Sequence, residues 1–140
     1  MTVTGVGEGR LREMVAAAKE ASGRAYCPYS NFPVGAAVLL EDGSVHAACN
    51  VENAAYGPSM CAERSAVFKA VSERGPGVRV LAAVVYTPTS RPTSPCGPCR
   101  QVLSEFGPDA LVVCVCDGEE ELRTDLTSLL PHPFCADGRD

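Results

Sequence analysis

From Val78 to Tyr86 the chain runs Val-Arg-Val-Leu-Ala-Ala-Val-Val-Tyr, a nearly unbroken β-branched and Ala stretch. Such a run reads as a strand covered on both faces, because a sheet with one wet face alternates apolar and polar residues. Leu111 to Cys116 has the same character. Strands of this kind need a layer above and a layer below, and the flanking segments supply both. Residues 8–22 place Leu11, Met14, Val15 and Ala18 at amphipathic-helix spacing. Residues 61–74 read as a helix ending at Gly75-Pro76, and residues 98–106 as a short one stopped by Gly107-Pro108. Two further strand-like runs, Val34–Leu40 and Val45–Cys49, are joined by Glu41-Asp42-Gly43-Ser44, and Asp-Gly between apolar runs signals a hairpin. Glu121–Asp125 reads as a short edge strand and Leu126–Leu130 as a last helical turn before Pro131. The pattern predicts an α/β layered fold with an antiparallel hairpin at one side of the sheet.

Two short segments carry the chemistry. Cys61-Ala62-Glu63-Arg64 opens one predicted helix, and Pro95-Cys96-Gly97-Pro98-Cys99-Arg100 opens another. A thiol at a helix N-terminus meets free N–H groups and the positive end of the helix dipole, which favour thiolate. Thiolates are what a zinc ion needs. Cys96 and Cys99 span one turn, and Cys99 shares a stripe with Val102, Leu103 and Phe106, so it faces inward. Three cysteines fall at these helix starts, whereas a closed structural zinc site wants four ligands. A catalytic site keeps the fourth position for water, whose pKa the metal lowers. Glu63 shares a face with Ala66, Val67 and Ala70, which turns its carboxyl inward at the level of the metal, placed to move protons. Two other readings compete. A lone Cys-x-x-Cys serves equally as a redox pair or half of a structural site, and Cys49 or His46 could supply a fourth ligand.

Length and charge narrow the partners. The 140 residues, 46% of them hydrophobic, suit one compact domain spanning 1–140, with disorder expected only at the two ends. The net charge is -5 and no Lys/Arg run occurs, so a polynucleotide or an anionic membrane is not the expected partner. Residues 1–10 lack the marks of a signal peptide, and no apolar run approaches the roughly 20 residues of a membrane span. The expectation is a cytoplasmic protein whose eight cysteines are metal ligands and buried thiols rather than disulfides.

Cys-Ala-Glu together with Pro-Cys-Gly-Pro-Cys-Arg-Gln resembles the signature of zinc nucleoside and nucleotide deaminases. More narrowly, the chain is similar to the small homotetrameric cytidine deaminases with three cysteine ligands. The similarity extends over Ala25–Ala37, Cys49–Tyr56, both zinc segments and Leu129–Phe134. It implies a three-layer α/β/α domain with a central mixed sheet, and one Zn²⁺ per subunit held by Cys61, Cys96 and Cys99. It implies hydrolysis of cytidine and deoxycytidine to uridine and deoxyuridine in pyrimidine salvage, with zinc-bound hydroxide adding at C4 and Glu63 shuttling protons. Arg64 would hydrogen-bond the cysteine sulfurs. Asn50 and Glu52 would bind the ribose hydroxyls, Phe32 would pack on the cytosine ring, and Ala54 with the Ser94-Pro95 backbone would meet the base. Tyr56 and Phe134 would reach a neighbouring subunit's site. Arg100, Gln101 and the five other cysteines receive no role. A related deaminase of a blasticidin S-type nucleoside is the nearest alternative, and the intact Asn50-Val51-Glu52-Asn53 favours cytidine over it. A non-catalytic zinc module is the alternative from another class, and Glu63 argues against it.

Overall fold

The computed structural model describes residues 5–136; the ends for which disorder was expected lie largely outside the described residues. Five strands form one mixed sheet: β1 (Gly35–Leu40), β2 (Val45–Cys49), β3 (Val80–Tyr86), β4 (Leu111–Val115) and β5 (Leu122–Asp125). Their order is β2-β1-β3-β4-β5. β3 and β4 are parallel and every other neighbouring pair is antiparallel. The helices are α1 (Glu8–Ser22), α2 (Ala62–Arg74), α3 (Gly97–Phe106) and the single turn α4 (Leu126–Leu129). The predicted β3 began two residues early, because Val78 and Arg79 lie before the ladder, where Arg79 O instead accepts from Glu41 N at 2.9 Å.

Side-chain alternation along the strands divides the core in two. Ala37 and Leu39 of β1 and Leu111 and Val113 of β4 pack with Leu11, Met14 and Ala18 of α1 on one face. Ala36, Val38, Val112 and Cys114 pack with Ala66, Val67 and Ala70 of α2, Leu103 of α3 and Leu126 of α4 on the other. This is why the central strands read as continuous apolar runs: neither face of β1 or β4 meets water. It is the three-layer α/β/α arrangement with a mixed sheet. Small side chains let the layers close. A Cβ on Gly35 would stand 1.8 Å from the carbonyl oxygen of Ala18, where α1 crosses β1. Gly35→Ala therefore forces helix and sheet apart and costs about 3 kcal/mol, read as a shift in urea midpoint with unchanged slope.

The topology also explains where a site can form. α2 leads into β3 and α3 leads out of it, and both pack on the same face of the sheet. Helices that flank a strand in this way run opposite to it, so both helix N-termini gather at the C-terminal end of β3. In layered α/β folds ligands bind beyond the carboxyl ends of strands for this reason.

Candidate active site

Cys61 is the N-cap residue of α2 and Cys96 the N-cap residue of α3. Cys99 follows one turn into α3 and is fully buried. The three Sγ atoms lie within 4.8 Å of one another, with Cys61–Cys96 at 3.7 Å and Cys96–Cys99 at 3.2 Å. Four-coordinate zinc with Zn–S bonds of about 2.3 Å holds its sulfurs about 3.8 Å apart, so a shift of a fraction of an ångström lets this cluster take the ion. Neither alternative fourth ligand joins it. His46 is buried elsewhere, its Nδ1 2.7 Å from Glu73 Oε1 and its Nε2 2.9 Å from Ser44 Oγ, and Cys49 lies outside the cluster. All eight cysteines are free thiols.

The electrostatics set Cys61 and Cys99 apart. Cys61 is pulled down to about 5, first by its hydrogen bond with Cys99 and then by Arg64 and Cys96. Cys99 is pushed up, by the same bond and by burial. Of these two, Cys61 is the one that carries the thiolate. Arg64 Nη2 donates to Cys61 Sγ at 3.4 Å, while its buried Nε has no hydrogen-bond partner. A guanidinium spending its donors on a thiolate cluster keeps that cluster's negative charge tolerable. Removing it in Arg64→Ala should weaken zinc binding about 10- to 100-fold and shift acid-induced zinc release to higher pH, since Cys61 then holds its proton more tightly. Zinc titrations at pH 5 to 8 with a chromogenic chelator measure both.

Glu63 sits on the buried face of α2 and is 7% exposed. Its pKa is raised, mainly because burial penalises the carboxylate. Glu63, Cys61 and Cys96 line one pocket of about 410 Å³, together with Val85 and Thr87 from the end of β3. Phe32, Asn50 and Glu52 line the same pocket. Asn50 Oδ1 accepts from Val34 N at 2.9 Å and its Nδ2 donates to Phe32 O at 2.9 Å, leaving one donor and one lone pair of the amide for a ligand. Glu52 is held below the usual carboxylate range, chiefly by the hydroxyl of Ser30. The pocket lining contains two carboxylates and no Lys or Arg.

Ala54, Tyr56 and Phe134 stand apart from this pocket within one chain. Ala54 is exposed, Tyr56 is 95% exposed, and Phe134 is 75% exposed and borders a different groove. Residues that the sequence left without a role now have contacts. Arg100 donates to Pro95 O at 2.8 Å, to Leu129 O at 3.0 Å and to Ser94 Oγ at 3.0 Å, fixing the loop that borders the pocket. The Gln101 amide pairs both ways with the backbone of Phe134, each bond 3.1 Å. Ser30, Thr87, Thr93 and Ser94 also line the pocket. Their motif positions flagged Arg100 and Gln101, but nothing in the sequence reveals partners 29 and 33 residues away.

Comparison with known proteins agrees with this geometry. Residues 9–115 match the family described as the cytidine and deoxycytidylate deaminase zinc-binding region. A cytidine deaminase of Sporosarcina psychrophila is 45% identical over 126 residues, covering 89% of this chain and 90% of that protein. One of Halalkalibacterium halodurans is 47% identical over 115 residues, covering 81% and 85%. The crystal structure of cytidine deaminase from Burkholderia pseudomallei superposes with a TM-score of 0.82 at 45% identity, covering 88% of this chain and 98% of that one. A match of this length, carried through sequence, fold and a three-thiol cluster, places the chain in the cytidine deaminase family.

Proposed function

We propose that this chain removes the amino group from C4 of cytidine and deoxycytidine by hydrolysis, giving uridine or deoxyuridine and ammonia. The observation that carries the reading is Glu63, a buried carboxyl with a raised pKa that shares a pocket with Cys61 and Cys96. A carboxyl whose pKa is raised by burial can take a proton and give it back within one turnover. Bound at Cys61, Cys96 and Cys99, zinc supplies Lewis-acid chemistry that makes water a nucleophile near neutral pH. Glu63 accepts a proton from the attacking water and delivers it to ring N3 as the C4–O bond forms. It then takes the second proton from the new hydroxyl and gives it to the amine as the C4–N bond breaks. Water enters and ammonia leaves, with Glu63 returned to its starting state. Arg64 holds the thiolates, Phe32 packs on the pyrimidine, and Asn50 with Glu52 binds the sugar. The backbone at Ser94-Pro95 meets the base, and Ala54, which stands apart from the pocket within one chain, meets it only in the site of a neighbouring copy.

The substrate in this reading is a neutral nucleoside. No Lys or Arg lines the pocket to receive a phosphate, and Glu52, held ionised by Ser30, repels one, which disfavours a deoxycytidylate. The same balance, with a net charge of -5, argues against a polynucleotide partner. The whole of 1–140 acts as one domain, since both apolar clusters belong to one sheet. Four such chains form a homotetramer in which Tyr56 and Phe134 of one copy reach the site of another, and their exposure in a single chain supports this. A solution mass of a single 14.6 kDa chain by light scattering contradicts it. Eight free thiols accord with the reducing cytoplasm, and among the described residues no helix is long and apolar enough to cross a membrane.

Ammonia release and the absorbance change on conversion to uridine test the reaction directly. Cytidine and deoxycytidine are turned over, while cytosine and deoxycytidylate are at least about 100-fold poorer in kcat/KM. Turnover of blasticidin S with both nucleosides untouched would replace this substrate assignment.

A further inference from the structure

Cys27 to Pro33 contains no helix or strand, yet it is fixed firmly to residues 50–52. Backbone bonds run from Tyr26 N to Asn50 O at 3.1 Å and from Glu52 N to Tyr26 O at 2.8 Å. Side chains complete the attachment. Glu52 Oε1 accepts from Tyr29 N at 3.0 Å and from Ser30 N at 3.2 Å, and Ser30 Oγ donates to Glu52 Oε2. The same Oγ accepts from Phe32 N at 3.1 Å. Asn31, between them, has φ of 56°, in the left-handed region that Asn tolerates, and this turns Phe32 N–H back towards Ser30. One hydroxyl thus stands between the carboxylate assigned to the sugar and the aromatic assigned to the base.

Resting on the function proposed above, we propose that Ser30 is a positioning residue for the nucleoside sugar: its hydroxyl fixes the Glu52 carboxylate for a sugar hydroxyl and keeps Phe32 in register with it. An ionised carboxylate offers about four lone-pair sites. Three donors from Tyr29 and Ser30 occupy three of them, so the direction left for a ligand is set by the loop. The terminal torsion of a Glu side chain is broad when nothing holds it. Without the Ser30 hydroxyl, Oε2 loses its partner and the carboxylate samples orientations that a sugar hydroxyl cannot meet. The chemistry at C4 belongs to Glu63, which none of these hydrogen bonds involves.

The test compares wild type, Ser30→Ala and Ser30→Thr on cytidine and on 2′,3′-dideoxycytidine, with zinc content measured for each. Ser30→Ala is expected to raise KM for cytidine about 10-fold, with kcat within about twofold and zinc unchanged. Its penalty in kcat/KM on dideoxycytidine, which has no ribose hydroxyl at 2′ or 3′, is expected to fall below about twofold. Ser30→Thr, which keeps a hydroxyl, recovers most of the cytidine KM. An unchanged KM in Ser30→Ala, the same penalty on both substrates, or no recovery by Thr overturns the proposal. Wild-type protein without cytidine turnover overturns the functional reading and this proposal together. Wild-type turnover with a uniform Ser30→Ala effect overturns the proposal alone.

Discussion

Replacing Glu63 by glutamine lowers kcat by about 10³- to 10⁴-fold while one zinc per chain is retained. Gln fills nearly the same volume on the buried face of α2, so packing against Ala66 and Val67 survives. What is lost is a group able to pick up and release a proton. Single-turnover assays beside metal analysis separate this from a folding defect. A variant keeping more than about a tenth of the rate removes Glu63 from the proton path. The same substitution stabilises the protein. Burial raises the folded-state pKa of Glu63, so the favourable contribution of its protonated form is complete below the unfolded value of about 4.3 and is lost as pH rises through the folded value. Above that point the wild type holds a buried carboxylate that Gln does not have. Glu63→Gln should therefore melt higher than wild type at pH 7 to 8, and the gap should close as pH falls towards 4 (~4.3 being the ordinary carboxyl value). Stability sacrificed at a catalytic position is the usual cost of a poised acid.

Cys99→Ala should empty the metal site. Cys99 is the fully buried member of the cluster, and its thiol is the first cause of the lowered pKa of Cys61. Two remaining thiols cannot complete the coordination, so zinc content falls from one per chain towards zero and turnover drops on the order of 10⁴-fold. Stability falls with it, because an ion bound only by the folded state contributes about 4 kcal/mol when present at 1,000 times its dissociation constant. A chelator should lower the melting temperature of the wild type and leave Cys99→Ala unmoved. Cys116→Ala is the matched control: Cys116 is buried beyond β4 with its thiol near Glu120 O at 3.4 Å, outside the cluster, and its loss leaves zinc in place. Equal zinc content in Cys99→Ala and wild type would exclude Cys99 as a ligand.

Much of this molecule was legible from residue order. The inward direction of Glu63 and Cys99 followed from helical spacing alone, since a stripe of Ala66, Val67 and Ala70, or of Val102, Leu103 and Phe106, can face only the core. The buried run at 78–86 and its counterpart at 111–116 required layers on both sides, and α1 and α2 supply them. Strand ends moved by a residue or two, where backbone groups such as Arg79 O found partners outside the ladder. The bond from Arg100 to Leu129, the pairing of Gln101 with Phe134 and the bond from Ser30 to Glu52 were not legible. Each joins segments more than 20 residues apart.

Residue order by itself determined which side chains carry the chemistry: three thiols and a carboxylate, each at a helical position whose spacing and dipole dictate its direction and charge. Only the tertiary structure decided that they meet. Cys61 and Cys96 are 35 residues apart, and they converge because α2 and α3 both run opposite to β3 and bring their N-termini to its C-terminal end. Local spacing sets which way a side chain points. The distance between two elements depends on how the sheet between them is ordered, and that order is fixed by burying both of its faces at once.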